Sequence, residues 1–126
     1  MKTVINTTNA PEPIGPYNQA IVAGGLIFVS GQIPLDHATG NLITDDVTEA
    51  TKLVLNHIKA ILNAAGADFS HIVKTSIFLK DMGDFAKVNE VYGTYFTADF
   101  LARETVQVAA LPKDVQVEIS VIAVKP

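Results

Sequence analysis

Alternation of apolar and polar positions is clearest toward the C-terminal end of the chain. Val115, Val117, Ile119, Val121 and Ala123 alternate with Gln116, Glu118, Ser120, Ile122 and Val124. Upstream, Val106 and Val108 alternate with Arg103, Thr105 and Gln107. A period of two with β-branched enrichment predicts strands, and Leu111-Pro112-Lys113-Asp114 between them predicts a turn. If the two strands pair antiparallel in an odd-sum register, Arg103, Thr105 and Glu118 share one face; a slip of one residue separates them.

The same reading covers the rest of the chain. Thr3–Asn6 is a short first strand. Three prolines between Ala10 and Tyr17 exclude a helix and leave an ordered loop or a rigid extended arm. Gln19–Ala23 and Leu26–Ser30 flank Gly24-Gly25, whose tolerance of positive φ suits a tight hairpin, and Gln32–Asn41 is a loop. Val47, Ala50, Val54, Ile58, Ile61 and Ala65 recur every three or four residues, which predicts a helix from Asp46, with Glu49 completing a capping box and Gly66 as the stop. His71–Leu79 is a strand apolar on both parities. Asp81–Phe96 is a second helix with Phe85, Val88, Tyr92 and Tyr95/Phe96 as its stripe.

The order is therefore βββαβαββ: an α+β two-layer sandwich in which two helices cover one face of a mixed sheet. The other face needs a cover too. Ile122 and Val124, beside His71, Val73 and Ile77, make an apolar patch too large for a monomer's surface. A homo-oligomer of closed symmetry with sites near the subunit boundary is the economical solution.

Composition narrows the function classes. A chain of 126 residues with 48% hydrophobic content is one domain, residues 1–126, with a real core rather than a disordered segment. It contains no cysteine, which removes disulfides, thiolate nucleophiles and cysteine-based metal sites and fits a reducing compartment. A net charge of −4 argues against general affinity for nucleic acid. The first residues lack the apolar core of a signal peptide, and Ile21–Val29 is too short and too glycine-interrupted to span a bilayer. A cytoplasmic protein without membrane association is expected.

Candidate chemistry is sparse. His37, His57 and His71 show no metal-ligand spacing and read as surface or packing residues, so no metal is expected. Ser30-Gly31 is not embedded in a nucleophile elbow, and Gly24-Gly25 lacks a phosphate-loop pattern. Arg103 and Glu118, with the Thr105 hydroxyl between, have the residue types to hold an anion and position a water. Solvated or cross-paired strand residues are the plainer reading. Tyr17 reads as a ring packed on the sheet edge and Asn89 as a polar-face residue of the second helix.

Several short motifs also recur together: Ala10-Pro11 with Ile14-Gly15-Pro16-Tyr17, Ser30-Gly31-Gln32-Ile33-Pro34, Asn89-Glu90-Val91-Tyr92, Ala102-Arg103, and Leu111-Pro112-Lys113-Asp114 followed by Val117-Glu118-Ile119. In this order and spacing the chain resembles, over essentially its whole length, the RidA family of reactive-intermediate (enamine/imine) deaminases, YjgF-type proteins formerly called L-PSP endoribonucleases. The resemblance implies a chorismate-mutase-like fold of the bacillus type, a homotrimer with clefts between subunits, and hydrolysis of 2-imino acids such as 2-iminobutanoate and 2-iminopropanoate to 2-keto acids and ammonia without a cofactor. It implies that Arg103 binds the substrate carboxylate, that Glu118 orients water, and that Tyr17, Ser30, Gly31, Asn89 and Thr105 line the pocket, some of them from the neighbouring subunit. Thr105 stands where many members have cysteine, Asn18 and Glu104 where serine is usual, Leu101 where proline is usual and Gln107 where glutamate is usual. A local bulge would let Glu104 compete for Arg103. The rival readings are a non-catalytic trimer that binds a small carboxylate and regulates a partner, and an endoribonuclease.

Overall fold

The computed structural model describes residues Met1–Pro126. Its elements follow the expected order: β1 (Thr3–Ile5), β2 (Ala20–Ala23), β3 (Leu26–Gln32), α1 (Val47–Ala64), β4 (Ile72–Leu79), α2 (Phe85–Tyr95), β5 (Ala102–Gln107) and β6 (Val117–Val124). Short 3-10 turns at Phe69–His71 and Met82–Asp84 take over the ends that periodicity gave to neighbouring elements, and a third at Pro112–Asp114 forms the expected turn. His71 thus belongs to a turn, where it completes a capping box with Asp68.

Local chemistry explains the main boundaries. Gly24 and Gly25 have φ of 58° and 78°, and the hairpin closes with Ala23 opposite Leu26. At α1, Asp46 accepts the Glu49 N–H at 3.2 Å. Only that half of the predicted capping box forms, because the Glu49 carboxylate pairs with Lys52 at 3.2 Å instead. Gly66 ends α1 at φ 81°, with its N–H on the Asn63 carbonyl and the Ala67 N–H on the Leu62 carbonyl, the two bonds of a Schellman stop.

The sheet order is β1-β2-β3-β6-β4-β5, with β4 and β5 parallel and all other neighbours antiparallel. This overturns the pairing of β5 with β6. The α2 crossover lays β5 parallel on one side of β4, and β6 enters the gap between β3 and β4, where both of its edges find partners. Its register decides the faces. Thr75 stands opposite Arg103 on one side and Val121 on the other, whereas Glu118 pairs with Phe78. Arg103 and Thr105 therefore lie on the helix-covered face and Glu118 on the open one. The expectation that the three share a face fails within one chain.

The core fills the space between the covered face and the helices. Ile27, Ile77, Leu79, Val117 and Ile119 from the sheet meet Val54, Leu55, Ile58, Ile61 and Leu62 of α1 and Val88 of α2, all buried. Each such side chain contributes roughly 1.5–3 kcal/mol on leaving water, so Ile58→Ala would cost about 2–5 kcal/mol. Ile77 thus belongs to this core and not to the outer patch. The open face still presents Val4, Phe28, Val106 and Val124, each 41–50% exposed, around the half-buried Ile122 and Phe78. No helix is long and apolar enough to cross a membrane.

Candidate functional site

Arg103 leaves the edge strand β5 toward α2. Its Nη1 donates to Asn89 Oδ1 at 2.8 Å, and its guanidinium carbon lies 4.9 Å from the centre of the Tyr92 ring and 5.8 Å from that of Phe85. Phe85, Asn89, Tyr92 and Phe96 recur four, three and four residues apart, so one helical stripe both covers the core and seats the cation. The Tyr92 hydroxyl donates to Thr75 Oγ1 at 3.1 Å, and Phe96 stacks on its ring at 4.3 Å. Burial pushes the Tyr92 phenol pKa up, against the Thr75 hydrogen bond and the Arg103 charge. Two residues beyond Arg103, the Thr105 hydroxyl is buried without a hydrogen-bond partner. A groove of about 680 Å³ opens beside the guanidinium, walled by Tyr92, Phe96, Phe100 and Leu101. A positive fork between apolar walls suits a small organic anion.

Glu118 occupies the opposite face in a different setting. Between Val29 and Gln32 the β3–β6 register slips by one residue, so Ser30 and Gly31 together stand opposite the single Ser120. The bulge brings the Gly31 backbone against the Glu118 side chain. A Cβ at position 31 would sit 2.6 Å from Glu118 Oε2 and 2.9 Å from its Cδ, so only glycine leaves the carboxylate where it is. Burial alone pushes the Glu118 carboxyl pKa up, and no hydrogen bond pulls it back. A desolvated carboxyl with a raised pKa can take a proton from water.

The remaining predicted residues divide between these settings. Asn89 and Thr105 stand with Arg103. Tyr17 and Gly31 line a small cavity at the base of the proline-rich arm, and Gly31 also abuts Glu118. Tyr17 is not packed on the sheet edge: it is 47% exposed and its hydroxyl accepts the Ile14 N–H at 3.4 Å. The Ser30 hydroxyl is spent inside the chain, donating to the Asn18 carbonyl at 2.6 Å. Glu104 points to the open face, where Ser76 and Lys74 (3.0 Å) hold it and its pKa is lowered, first by the Ser76 hydrogen bond. It does not compete for Arg103.

Sequence reasoning missed two contributors. One is Tyr92, read only as core; its spacing of three from Asn89 was the available signal. The other is Gln19, whose buried amide donates to the Thr7, Ala10 and Pro11 carbonyls and accepts the Thr7 N–H at 2.6 Å, tying the arm to the sheet. No signal in the sequence marks it. The histidines take packing roles: His57 is buried in α1 with Nε2 2.7 Å from the Leu35 carbonyl and its pKa lowered by burial, and His37 packs edge-on against it.

Comparison with known proteins bears on this two-sided arrangement. The chain is 48% identical to a mouse protein named 2-iminobutanoate/2-iminopropanoate deaminase, covering 99% of this chain and 93% of that one, and 45% identical to its human counterpart. Its structure superposes on that of Escherichia coli TdcF with bound serine, with a TM-score of 0.93 and 44% identity over 98% of this chain and 99% of that one. A putative endoribonuclease of Thermotoga maritima gives a TM-score of 0.96 at 48% identity over 100% and 99% of the two chains. The family model described as Endoribonuclease L-PSP matches residues 7–125. That match spans nearly all of the chain and the solved relatives share its fold, so the chain belongs to the L-PSP endoribonuclease (YjgF/RidA) family.

Proposed function

We propose that the protein hydrolyses 2-imino acids, such as 2-iminobutanoate and 2-iminopropanoate, to 2-keto acids and ammonia, in a homotrimer whose sites lie between subunits. The observation that carries this reading is the desolvated Glu118 carboxyl, facing Gly31 on the face opposite the seated Arg103. A cation and a base on opposite faces of one sheet meet only when a second copy supplies one of them, and the exposed apolar side chains of the open face give copies a reason to associate. The mammalian relatives' names supply the substrate class.

In the proposed reaction the Arg103 fork holds the substrate carboxylate through charge-assisted hydrogen bonds, and the free Thr105 hydroxyl donates another. Water attacks the imine carbon as Glu118 of the neighbouring copy takes its proton, a general-base contribution of about 10²–10⁴-fold. The C–N bond of the resulting carbinolamine then breaks. Glu118 returns its proton to the nitrogen, and as ammonia leaves the hydroxyl gives up its remaining proton to the same carboxylate, so that the oxygen stays as the keto group.

Subunit mixing tests this arrangement. Arg103→Ala and Glu118→Gln proteins, each inactive alone, regain activity after dissociation and reassembly together, because a mixed trimer contains about one intact site in three. No recovery in reassembled hetero-oligomers would contradict a shared site. The serine-bound TdcF structure favours a second reading, a trimer that binds small carboxylates without turnover. In that case the wild type binds 2-keto acids and does not accelerate imine hydrolysis.

A further inference from the structure

We infer that Tyr92 is a positioning residue for the carboxylate-binding guanidinium: its ring is the surface that holds the Arg103 fork in one plane. The inference rests on the reading of Arg103 as the carboxylate binder and adds to it a residue that acts through Arg103.

An arginine on an edge strand has a long side chain with many rotamers, and a fork that swings cannot present two parallel hydrogen bonds. Two contacts restrict this one. Asn89 Oδ1 takes one N–H at 2.8 Å and fixes an edge of the guanidinium. The Tyr92 ring, 4.9 Å from the guanidinium carbon, supplies the face. Phe85, at 5.8 Å, stands at the outer limit of such contacts.

The ring is itself immobile. Tyr92 is 6% exposed, Phe96 stacks on it at 4.3 Å with planes 24° apart, and its hydroxyl reaches the fully buried Thr75 at 3.1 Å. The hydroxyl serves the core while the ring face serves Arg103. The two ends of one side chain have separable tasks, and that separation makes the role testable.

Three proteins are compared in their assembled form: wild type, Tyr92→Phe and Tyr92→Leu. The measurements are affinity for the product analogue 2-ketobutanoate by calorimetry, melting temperature, and the proton shifts of the Arg103 guanidinium by NMR. Tyr92→Phe loses the hydrogen bond and strands the Thr75 hydroxyl, so its melting temperature falls while affinity and the upfield ring-current shift of Arg103 persist. Tyr92→Leu loses the shift and binds the keto acid roughly tenfold more weakly. In imine turnover the same variant raises KM more than it lowers kcat. Equal weakening in the two variants, or affinity that simply follows melting temperature, would mean that Tyr92 is only a core residue. Unchanged affinity in Tyr92→Leu overturns the inference as well. Should the wild type show the ring-current shift but bind no keto acid, the carboxylate role of Arg103 falls, and the positioning role falls with it. Keto-acid binding without imine turnover would sink the deaminase reading alone.

Discussion

The two faces of the sheet treat their charges in opposite ways. On the covered face Arg103 arrives already seated, with Asn89 on one edge and Tyr92 beneath. On the open face Glu118 is half-buried and has no hydrogen bond to offset the loss of water. A cation that is held and a carboxylate that is left wanting lie on two sides of one sheet. The difference teaches that a single chain can prepare the halves of a site to different degrees, the binding half rigidly and the reactive half at a cost in stability.

Removing the reactive half should have the largest effect. Glu118→Gln is expected to lower turnover about 10²–10⁴-fold while 2-keto acid binding, followed by calorimetry, is retained. The same substitution should raise the melting temperature at neutral pH. A carboxyl whose folded pKa lies above its unfolded one binds more protons in the folded state, so the wild type loses stability as pH rises through that window, and the amide has no such loss. The raised pKa also places the acid limb of the wild-type rate profile at higher pH than an exposed glutamate would, since activity fails as the base is protonated. Steady-state rates across pH 4 to about 8 would locate it.

Removing the binding half comes next. Arg103→Ala should cost about 10²–10³-fold in kcat/KM and abolish measurable keto-acid binding, with the melting temperature little changed because the guanidinium is not part of the core. A smaller, more local change follows from the bulge. Gly31→Ala should lower turnover about tenfold by pushing the Glu118 carboxylate aside, with a stability loss near 1 kcal/mol in denaturant titration. A stability loss without loss of turnover would show that the bulge shapes only the sheet. Smallest is Glu104→Ser, expected to change kcat/KM less than about twofold because Lys74 and Ser76 hold that carboxylate on the face away from Arg103. A large gain would mean that Glu104 reaches the guanidinium in the assembly.

The hydrophobic pattern alone was enough for the fold class, the element order, the Gly24-Gly25 hairpin and the helix stop at Gly66. All of these follow from local periodicity and backbone tolerance. The partner of β6 was not legible: strand patterns say which residues share a face within a strand and nothing about which strand lies alongside. Proximity in sequence favoured a β5–β6 hairpin, and β4 took the intervening place because the α2 crossover had already set β5 beside it. The site residues were legible as types, but Arg103 and Glu118 were expected on one face for the same reason. Gln19 was invisible because its role lies in carbonyls that any residues could supply.

The placement of β6 has a consequence for synthesis. The strand made after all the others runs through the middle of the sheet, between β3 and β4, and carries Glu118. Until residues 117–124 have left the ribosome, the nascent chain is two β fragments with a slot between them, each offering raw backbone to any stray strand. Completion is a late, long-range event of the kind that folds slowly. A product cut short before Val117 would therefore not be a weaker version of this protein: it would be an unclosed sheet, and quality control would meet it as such.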